Sequence, residues 1–430
     1  MRYFSTRDRG DEKRFFSLKE AATKGLAHDG GLFMPEHIPA ADMKVVEDLY
    51  KKSYSEMALY LAGLFFGDDV EAQRLKTTVE RAYDFPIKMK SIAEGMNTLE
   101  LFHGPTFAFK DFGARFMGQM MGILNDNDEV TVLTATSGDT GSAVANGFYG
   151  VKGVKVVLLY PAGKISPLQE AQMTTLYGNI YPLKVNGTFD DCQRMVKAMF
   201  ADEKMREEIN ITSANSINIL RWIPQSFYYF YGWCAWKELT GRELPYIVVP
   251  SGNYGNLTAG MLARRMGLPV KGFVAASNAN DVIPEFLKSA EYRPRASVQT
   301  VANAMDVGAP SNYERMMCLC GNDIEKLRME MRGFSANDDE IVAAIKEMHE
   351  IYDYQLCPHS AVGYAATKEL DVDGFWLSTA CAAKFGEVTE RAIGKKPKLP
   401  ENIGKLLSRK RVFTEISAEE NELKKYLLQV

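Results

Sequence analysis

The sequence predicts an α/β protein in which two doubly wound α/β units follow a mostly helical N-terminal region. From about residue 129 onward, short β-branched runs alternate with helical patterns, which is typical of parallel βαβ units. At 137–142 and 251–256 a strand-like run ends directly in a glycine-containing loop that opens a helix. Residues 1–95 instead mix charged and apolar residues at helical spacing.

The elements follow in order along the chain. The predicted strands span 130–135, 155–160, 179–185, 246–249, 270–276 and 375–378, and the predicted helices span 142–149, 166–178, 190–200, 257–266 and 337–352. The run Ser166-Pro-Leu-Gln169 predicts a capping box with proline at the first helical position. Because ligands of such sheets bind beyond the carboxyl ends of the strands, functional residues are expected in the loops that follow strands.

Composition and charge argue against several classes of function. The 430 residues are 46% hydrophobic and 25% charged, which is enough for a large core without disulfides or a metal. A formal net charge of −4 predicts no surface for nucleic acid or for an anionic membrane. The N-terminus is too charged for a secretory signal and no apolar run reaches the length of a membrane span, so a cytoplasmic location is expected. The six cysteines show neither disulfide-framework nor zinc spacing, so we expect no metal site.

The loop Ser137-Gly138-Asp139-Thr140-Gly141-Ser142 combines two glycines with three hydroxyl side chains at the start of a helix. Free N–H groups and close backbone approach suit a carboxylate or a phosphate. It lacks the Gly-Lys-Ser/Thr of a Walker loop. A plain tight turn is the alternative.

The loop Ser251-Gly252-Asn253-Tyr254-Gly255-Asn256 has the same setting between a strand and a helix. Glycine and asparagine adopt conformations in which successive N–H groups converge, so this loop could hold a phosphate without a lysine. Two such loops in one chain indicate a ligand with separated anionic groups, or a cofactor phosphate together with an anionic substrate.

The stretch from His103 to Gly113 carries Lys110 among Phe107, Phe109 and Phe112. Apolar surroundings disfavour the ammonium and lower its pKa, which makes the amine a usable nucleophile that can form a Schiff base. The alternative is a lysine that extends along a helix surface and pairs with Asp111.

A fourth polar cluster consists of Asn215-Ser216-Ile217-Asn218 followed by Arg221. If a helix starts near Asn218, Arg221 lies one turn into it, and its guanidinium together with the terminal amides would suit a phosphate. Helix capping by Asn215 or Ser216 is the alternative.

Taken in order, these stretches resemble the threonine synthase family, a branch of the tryptophan-synthase-β-like (fold type II) pyridoxal-phosphate enzymes. The likeness covers nearly the whole chain and rests on residues 3–7, 26–33, 103–113, 137–143, 213–225, 251–256 and 358–363. The lysine motif and the N-terminal segment are specific to that family, whereas the glycine loops alone indicate only the superfamily. The resemblance implies a pyridoxal-phosphate lyase of threonine biosynthesis, which converts O-phosphohomoserine and water to L-threonine and phosphate by β,γ-elimination and β-hydration.

The resemblance also implies roles for individual residues. For the cofactor, Lys110 would carry it, Asp139 would lie near its ring hydroxyl, Thr379 would bond its ring nitrogen, and Gly252, Asn253, Tyr254, Gly255 and Asn256 would bind its 5′-phosphate. For the substrate, Ser137 and Thr140 would hold the carboxylate, His103 and Thr106 would flank the lysine, and Ser213, Asn215, Ser216, Asn218 and Arg221 would bind the leaving phosphate.

One departure from the family is visible after the predicted strand at 375–378. The family commonly has Thr-Ala-His-Pro there, whereas this chain has Thr379-Ala-Cys-Ala382. The threonine is present, so cofactor binding is still expected. The role of the histidine must be absent or supplied by another residue.

Two other functions stay open at this point. Another fold type II lyase, such as a serine or threonine dehydratase or a phospholyase, would not need the phosphate cluster around Arg221 unless its substrate were phosphorylated. A catalytically silent relative would not need Lys110, Asp139, Asn253 and Thr379. The predicted division is an N-terminal region at 1–95, a discontinuous cofactor domain at 96–128 and 216–430, and a small domain at 129–215, in a monomer or homodimer.

Overall fold

The computed structural model describes residues 1–8, 13–125 and 129–430, apart from the side chains of residues 206, 207, 401 and 402. The strands are β1 (Tyr3–Ser5), β2 (Phe33–Pro35), β3 (Lys88–Ala93), β4 (Met96–Glu100), β5 (Val130–Ala135), β6 (Val154–Pro161), β7 (Ile180–Asn186), β8 (Ile211–Thr212), β9 (Tyr246–Pro250), β10 (Gly272–Ser277), β11 (Met331–Ser335), β12 (Gly374–Ser378) and β13 (Thr414–Ser417).

Helices cover most of the rest of the chain. They are α1 (Leu18–Lys24), α2 (Met43–Tyr50), α3 (Tyr54–Phe66), α4 (Ala72–Ala82), α5 (Lys110–Leu124), α6 (Asp139–Phe148), α7 (Pro167–Thr174), α8 (Phe189–Ala201), α9 (Glu203–Glu208), α10 (Ile219–Trp222), α11 (Phe227–Thr240), α12 (Gly255–Arg265), α13 (Val282–Ser289), α14 (Tyr313–Leu319), α15 (Ile324–Glu330), α16 (Asp338–Tyr352), α17 (Pro358–Glu369), α18 (Gly386–Ile393), α19 (Glu401–Leu407) and α20 (Glu420–Leu427). Short 3-10 helices span Ile223–Ser226, Asn303–Met305 and Ala382–Phe385.

Two sheets organise the fold. The larger has the strand order β11-β10-β9-β12-β4-β3 and is parallel except for the antiparallel β3–β4 hairpin. The smaller has the order β13-β7-β6-β5-β8 and is parallel throughout. Strands β1 and β2 form a separate antiparallel pair. The predicted α/β class, with its parallel sheets, is confirmed.

Local signals in the sequence placed most elements within a few residues. Ser166 and Gln169 form the predicted capping box of α7, with Pro167 at the first helical position. The α6 helix begins at Asp139 rather than at residue 142, inside the loop itself. The N-terminal region also contains β1, β2 and β3, which are too short or too polar to show a strand period.

The C-terminal segment crosses from one sheet to the other. Strand β13 pairs in parallel with β7, and its Ile416 packs with Leu183, Val185 and Leu423 in the core of the smaller sheet. The division into domains stays a prediction. The prediction assigns β13 to the cofactor domain, which includes residues 216–430. In the structure, β13 belongs to the sheet of the predicted small domain at 129–215.

The predicted functional residues follow the carboxyl ends of five strands. Residue 103 follows β4, residues 137–142 follow β5, residue 213 follows β8, residues 251–256 follow β9, and residue 379 follows β12. Parallel strands therefore deliver these loops to the same edges of the sheets. Among the residues described, no helix has both the length and the apolar character needed to cross a membrane.

Candidate active site

Lys110 is the first residue of α5, and the segment before it lies against the segment that follows β12. The backbone N–H of Phe109 donates to the Thr379 carbonyl at 2.8 Å, and the N–H of Cys381 donates to the Phe107 carbonyl at 3.0 Å. This backbone pairing explains how two residues that are 269 positions apart, Lys110 and Thr379, come to lie in one site.

The environment of Lys110 favours a neutral amine. Its side chain is 16% exposed, and its Nζ lies 3.9 Å from Oδ2 of Asp139. Burial lowers the pKa of Lys110 to about 8, with further lowering by the cations Arg221 and Lys384, against the opposite effect of Asp139. An amine with this pKa is unprotonated in an appreciable fraction of molecules near neutral pH.

Asp111 is hydrogen-bonded to Thr106, whereas the surface-lysine alternative requires it to pair with Lys110. It is fully buried and accepts hydrogen bonds from the Thr106 backbone N–H at 2.8 Å and the Thr106 hydroxyl at 2.5 Å. Burial raises the pKa of Asp111 to about 6. Thr106, predicted to flank the lysine, therefore directs its hydroxyl to Asp111.

Asp139 is surrounded by donors. Its Oδ1 lies 2.7 Å from Nζ of Lys384 and accepts a hydrogen bond from Nε2 of Gln169 at 3.0 Å. Although burial acts in the opposite direction, Lys384 and Lys110 hold the pKa of Asp139 well below its usual range, so the carboxylate is ionised. Sequence reasoning missed Lys384, and its signal is a lysine five residues after Thr379 in an otherwise apolar run.

The loop at 137–142 is shaped by Thr136, another residue that sequence reasoning missed. The Thr136 hydroxyl accepts hydrogen bonds from the backbone N–H groups of Gly138 at 3.0 Å and Gly141 at 2.7 Å. Gly138 has φ +128°, a conformation that other residues rarely adopt. Gly138, the residue before α6, has no side chain with which to cap the helix, while Ser137 is exposed and Thr140 is half-buried. The two hydroxyls are therefore available to an anion.

The loop at 251–256 is neutral and tightly packed. Tyr254 has φ +58° and precedes α12, whose start has no side-chain cap. A Cβ on Gly252 would lie 2.6 Å from Cα of Met305, so only glycine fits there. Asn256 accepts from the Tyr228 and Tyr229 hydroxyls at 2.7 Å each, and its Nδ2 is buried without a hydrogen-bond partner among the residues described. That unused donor and the uncapped amides suit a phosphate.

The loop at 213–218 is joined to the loop at 251–256. The Ser216 hydroxyl accepts a hydrogen bond from Nδ2 of Asn253 at 2.7 Å, and the Ser213 hydroxyl accepts one from the Asn215 N–H at 3.3 Å. Asn218 is fully buried, caps α10 through the N–H of Leu220, and donates to the Ala22 carbonyl at 2.8 Å. The Asn218 side chain therefore holds the loop in place, and its contact with the leaving phosphate stays a prediction.

Arg221 is a buried cation near Lys110. It is 4% exposed and donates to the Ala214 carbonyl, and no carboxylate among the described residues pairs with it. Burial lowers the pKa of Arg221 to about 10, so the guanidinium stays charged at neutral pH. Asp111 acts on the guanidinium only beyond ion-pair distance, and a buried cation without a direct anionic partner is costly, which is expected where an anionic ligand completes the site.

Arg315, which sequence reasoning also missed, connects the segments around Phe33, Ile217 and Trp222 behind these loops. It is fully buried, donates to the carbonyls of Phe33 at 3.1 Å and Ile217 at 2.7 Å, and lies 4.3 Å from the centre of the Trp222 ring. It also donates to the Ser216 carbonyl at 2.9 Å. No local pattern marks this arginine, because its partners lie about 100 and 280 residues away.

Two histidines lie at this edge. Nε2 of His103 lies 2.8 Å from Oε2 of Glu100, whose Oε1 accepts a hydrogen bond from the Tyr354 hydroxyl. His359 is buried, and its Nε2 accepts the N–H of Ala304 at 3.1 Å, so a neutral ring carries its proton on Nδ1. Burial lowers the pKa of His359 to about 4, and Nδ1 has no partner among the described residues. The run at 358–363 marked this histidine only as part of the resemblance.

The residues present fit the cofactor that the resemblance implies. Pyridoxal phosphate needs an amine, a phosphate cradle, a partner for its ring nitrogen and one for its ring hydroxyl. Lys110 offers the amine, the unpartnered Nδ2 of Asn256 and the uncapped start of α12 offer the cradle, and Thr379 and Asp139 offer the two ring contacts.

Comparison with known proteins agrees with this geometry. The family model described as "Pyridoxal-phosphate dependent enzyme" matches residues 98–375, "Threonine synthase N terminus" matches residues 2–83, and "Threonine synthase, C-terminal" matches residues 360–427.

Similar proteins match over nearly the full length. Threonine synthase of Serratia marcescens is 39% identical over 100% of this chain and 99% of its own, and that of Escherichia coli K12 is 41% identical over 94% of each. The crystal structure of PLP-bound threonine synthase from Brucella melitensis superimposes with a TM-score of 0.93 at 32% identity, covering 100% and 99% of the two chains. The chain therefore belongs to the threonine synthase family of pyridoxal-phosphate-dependent enzymes.

Proposed function

We propose that this chain converts O-phosphohomoserine and water to L-threonine and inorganic phosphate, with Lys110 as its catalytic amine. The observation that carries the proposal is the buried amine of Lys110, whose pKa is about 8, near Asp139 and the unpaired cation Arg221. The full-length similarity to threonine synthases supports the same reaction.

The cofactor would be held from several sides. When bound, pyridoxal phosphate supplies an aldehyde for attachment to amines and a conjugated ring that stabilises negative charge on the substrate. Residues Gly252, Asn253, Tyr254, Gly255 and Asn256 would hold its phosphate. Thr379 would bond the ring nitrogen, and because its hydroxyl is neutral it would not force a full positive charge onto the ring.

Lys110 would move protons at the substrate carbons. An amine with a pKa near 8 is close to the value at which a general base is both available and strong at neutral pH. The amine would take one proton from the α-carbon and one from the β-carbon, so that the phosphate can leave the γ-carbon. It would then return one proton to the γ-carbon and one to the α-carbon, while water supplies the hydroxyl group at the β-carbon and gives its remaining proton to the phosphate or the solvent.

The leaving phosphate needs positive charge that is already in place. The Arg221 guanidinium is buried without a carboxylate partner, so binding a phosphate would compensate a charge that folding has left unpaired. The Ser213, Asn215 and Ser216 side chains lie in the loop beside it and would complete the phosphate contacts. Ser137 and Thr140 would hold the substrate carboxylate at the start of α6.

The alternative functions are not favoured. A serine or threonine dehydratase has no use for a phosphate site at Arg221, and a silent binding protein has no use for a lowered pKa at Lys110. The similar full-length proteins carry the name threonine synthase rather than either alternative.

The setting of the enzyme is also proposed. Its substrate is a small molecule, and we propose from the acidic balance of the chain that it does not bind nucleic acid. We propose a cytoplasmic enzyme that acts as a monomer or homodimer. Size-exclusion chromatography with light scattering would distinguish these two states.

The central experiment measures phosphate and threonine formation from O-phosphohomoserine, with and without added pyridoxal phosphate. We expect cofactor-dependent release of equal amounts of both products. Borohydride reduction followed by peptide mapping should label Lys110. A label on Lys384, the other amine beside Asp139, would contradict the assignment of the catalytic lysine, and phosphate release without threonine would contradict the reaction.

A further inference from the structure

Lys384 is a second lysine in the candidate active site, and the proposed roles leave it without a function. Its side chain is fully buried in the 3-10 helix Ala382–Phe385. Its ammonium lies 2.7 Å from Oδ1 of Asp139 and donates to the Thr106 carbonyl at 2.8 Å. Lysine is rarely buried to this degree unless it is paired.

The same backbone pairing that brings Thr379 to Lys110 also delivers Lys384. The Cys381 N–H is bonded to the Phe107 carbonyl, and the Lys384 N–H donates to the Cys381 carbonyl at 3.1 Å. Lys384 thus follows shortly after the segment in which this chain has Cys381 and Ala382 instead of the family's histidine and proline. This segment places Lys384 on the side of the site that faces Asp139.

The two oxygens of Asp139 have different neighbours. Oδ1 accepts from Lys384 and from Gln169 within 3.0 Å, whereas Oδ2 faces Lys110 across 3.9 Å, beyond hydrogen-bond distance. One carboxylate therefore lies between two lysines and is bound closely by only one of them. Lys384 holds Asp139 so that Lys110 is left without a close ion pair.

Charge explains why this arrangement matters. A lone carboxylate beside Lys110 would stabilise its ammonium, and beside the cofactor's ring hydroxyl it would repel an ionised oxygen. Among the residues described, the other ionisable groups near the pair are Asp111, Arg221, His359 and the thiols of Cys357 and Cys381. His359 is neutral, and Arg221 adds positive charge, so Lys384 is the group that directly neutralises Asp139.

We propose that Lys384 is a positioning residue. By neutralising Asp139, it allows an acidic side chain to lie beside the cofactor's ring hydroxyl while the Lys110 amine stays reactive. This inference rests on the proposed cofactor site and does not depend on which substrate the enzyme uses. A buried ion pair is seldom more stabilising than an apolar pair of the same size, so its presence here fits a role in the site.

The test compares the holoenzyme with three variants, Lys384→Met, Asp139→Asn and the double variant. The readout is the pH midpoint of the bound cofactor's absorbance change, measured without substrate. Lys384→Met leaves Asp139 uncompensated and should raise the midpoint by about one pH unit, a tenfold change in proton affinity. Asp139→Asn leaves Lys384 uncompensated and should lower it by a similar amount.

The double variant removes both charges and should return the midpoint to within about 0.3 of the wild-type value, since the two effects have opposite sign. Unchanged midpoints in both single variants would overturn the proposal. A double variant whose midpoint does not return towards the wild-type value would also overturn it. If Lys384→Met does not fold, Asp139→Asn and the double variant still differ only in Lys384, and equal midpoints in those two proteins would overturn it.

Phosphate release by the wild-type protein is assayed separately. A wild-type enzyme that takes up cofactor but does not act on O-phosphohomoserine would contradict the proposed reaction and leave the midpoint comparison intact. Lys384→Arg serves as the conservative control, and it should keep the midpoint near the wild-type value because the charge is retained.

Discussion

The starts of α6 and α12 share one architecture and use opposite electrostatics. Each follows a parallel strand, opens with a glycine-containing loop and receives no side-chain cap from the residue directly before the helix. At α6 the first helical residue is Asp139, which is ionised and held by Lys384. At α12 the loop contains neutral groups, and the nearby cation Arg315 contacts backbone carbonyls behind it. The same strand–loop–helix arrangement can thus present either an ionised side chain or a set of neutral hydrogen-bond donors.

The difference follows from what each site has to do. A neutral cradle binds a phosphate through fixed N–H groups and changes little with pH. A site built from ionised groups can adjust the proton affinity of a nearby amine, which the proposed role of Lys110 requires. Variants of the two loops should therefore separate cofactor affinity from cofactor protonation.

The largest effect is expected for Lys110→Ala in the charged region. Removal of the amine should lower kcat by at least about a thousandfold, since general base catalysis and cofactor attachment are lost together. Steady-state assays of threonine formation measure this effect. Lys368→Ala, which breaks only a surface pair with Glu347, is the matched control. A drop of less than tenfold in Lys110→Ala would refute its catalytic role.

Arg221→Ala should have the next largest effect. We expect kcat/KM for O-phosphohomoserine to fall roughly 100- to 1,000-fold, the usual loss when one preorganised donor to developing negative charge is removed. Cofactor affinity, measured by fluorescence titration, should change less than threefold. An equal loss of affinity and turnover would move Arg221 from the substrate phosphate to the cofactor.

Asn256→Asp addresses the neutral cradle. The change replaces the unpartnered Nδ2 donor with an oxygen and keeps the acceptor for Tyr228 and Tyr229. Cofactor affinity should fall by at least roughly 30- to 100-fold, because a hydrogen bond to a charged group is lost and an ionised aspartate would repel the phosphate. The absorbance midpoint of bound cofactor should stay within about 0.3 pH units, unlike that of Lys384→Met. A large shift in the midpoint would contradict the expectation that the α12 loop affects cofactor affinity but not cofactor protonation.

The smallest effect concerns stability in acid. The pKa of His359 is about 4 in the folded chain and about 6.5 when unfolded, so the unfolded chain binds the extra proton as pH falls from 6.5 to 4. Stability from the neutral ring is present above pH 6.5 and is lost below it, by about 2 kcal/mol at pH 4.5. Urea unfolding at pH 4.5 and 7 should show a smaller difference for His359→Gln than for the wild type, and equal differences would count against this titration.

The alternation of strands and helices and the two glycine loops could be predicted because each depends on neighbouring residues, whereas the role of Lys110 was implied by the family resemblance. Turn chemistry, capping and hydrophobic period act within a few positions, so Ser166 capped α7 as predicted. The motif of Lys110 placed the lysine among aromatic residues, and the structure agrees with its lowered pKa.

Only the tertiary structure brought Lys384, Arg315 and His359 close to the predicted site residues, and it showed that the Asn218 amide donates to backbone carbonyls. A lysine, an arginine or a histidine has the same local pattern whether it is exposed or buried. Burial and distant partners decide its charge, and those partners lie up to about 280 residues away in this chain. The sequence by itself determined which loops open onto the strand ends, and the packing of the sheets decided which charges meet there, because electrostatic coupling depends on distance in space.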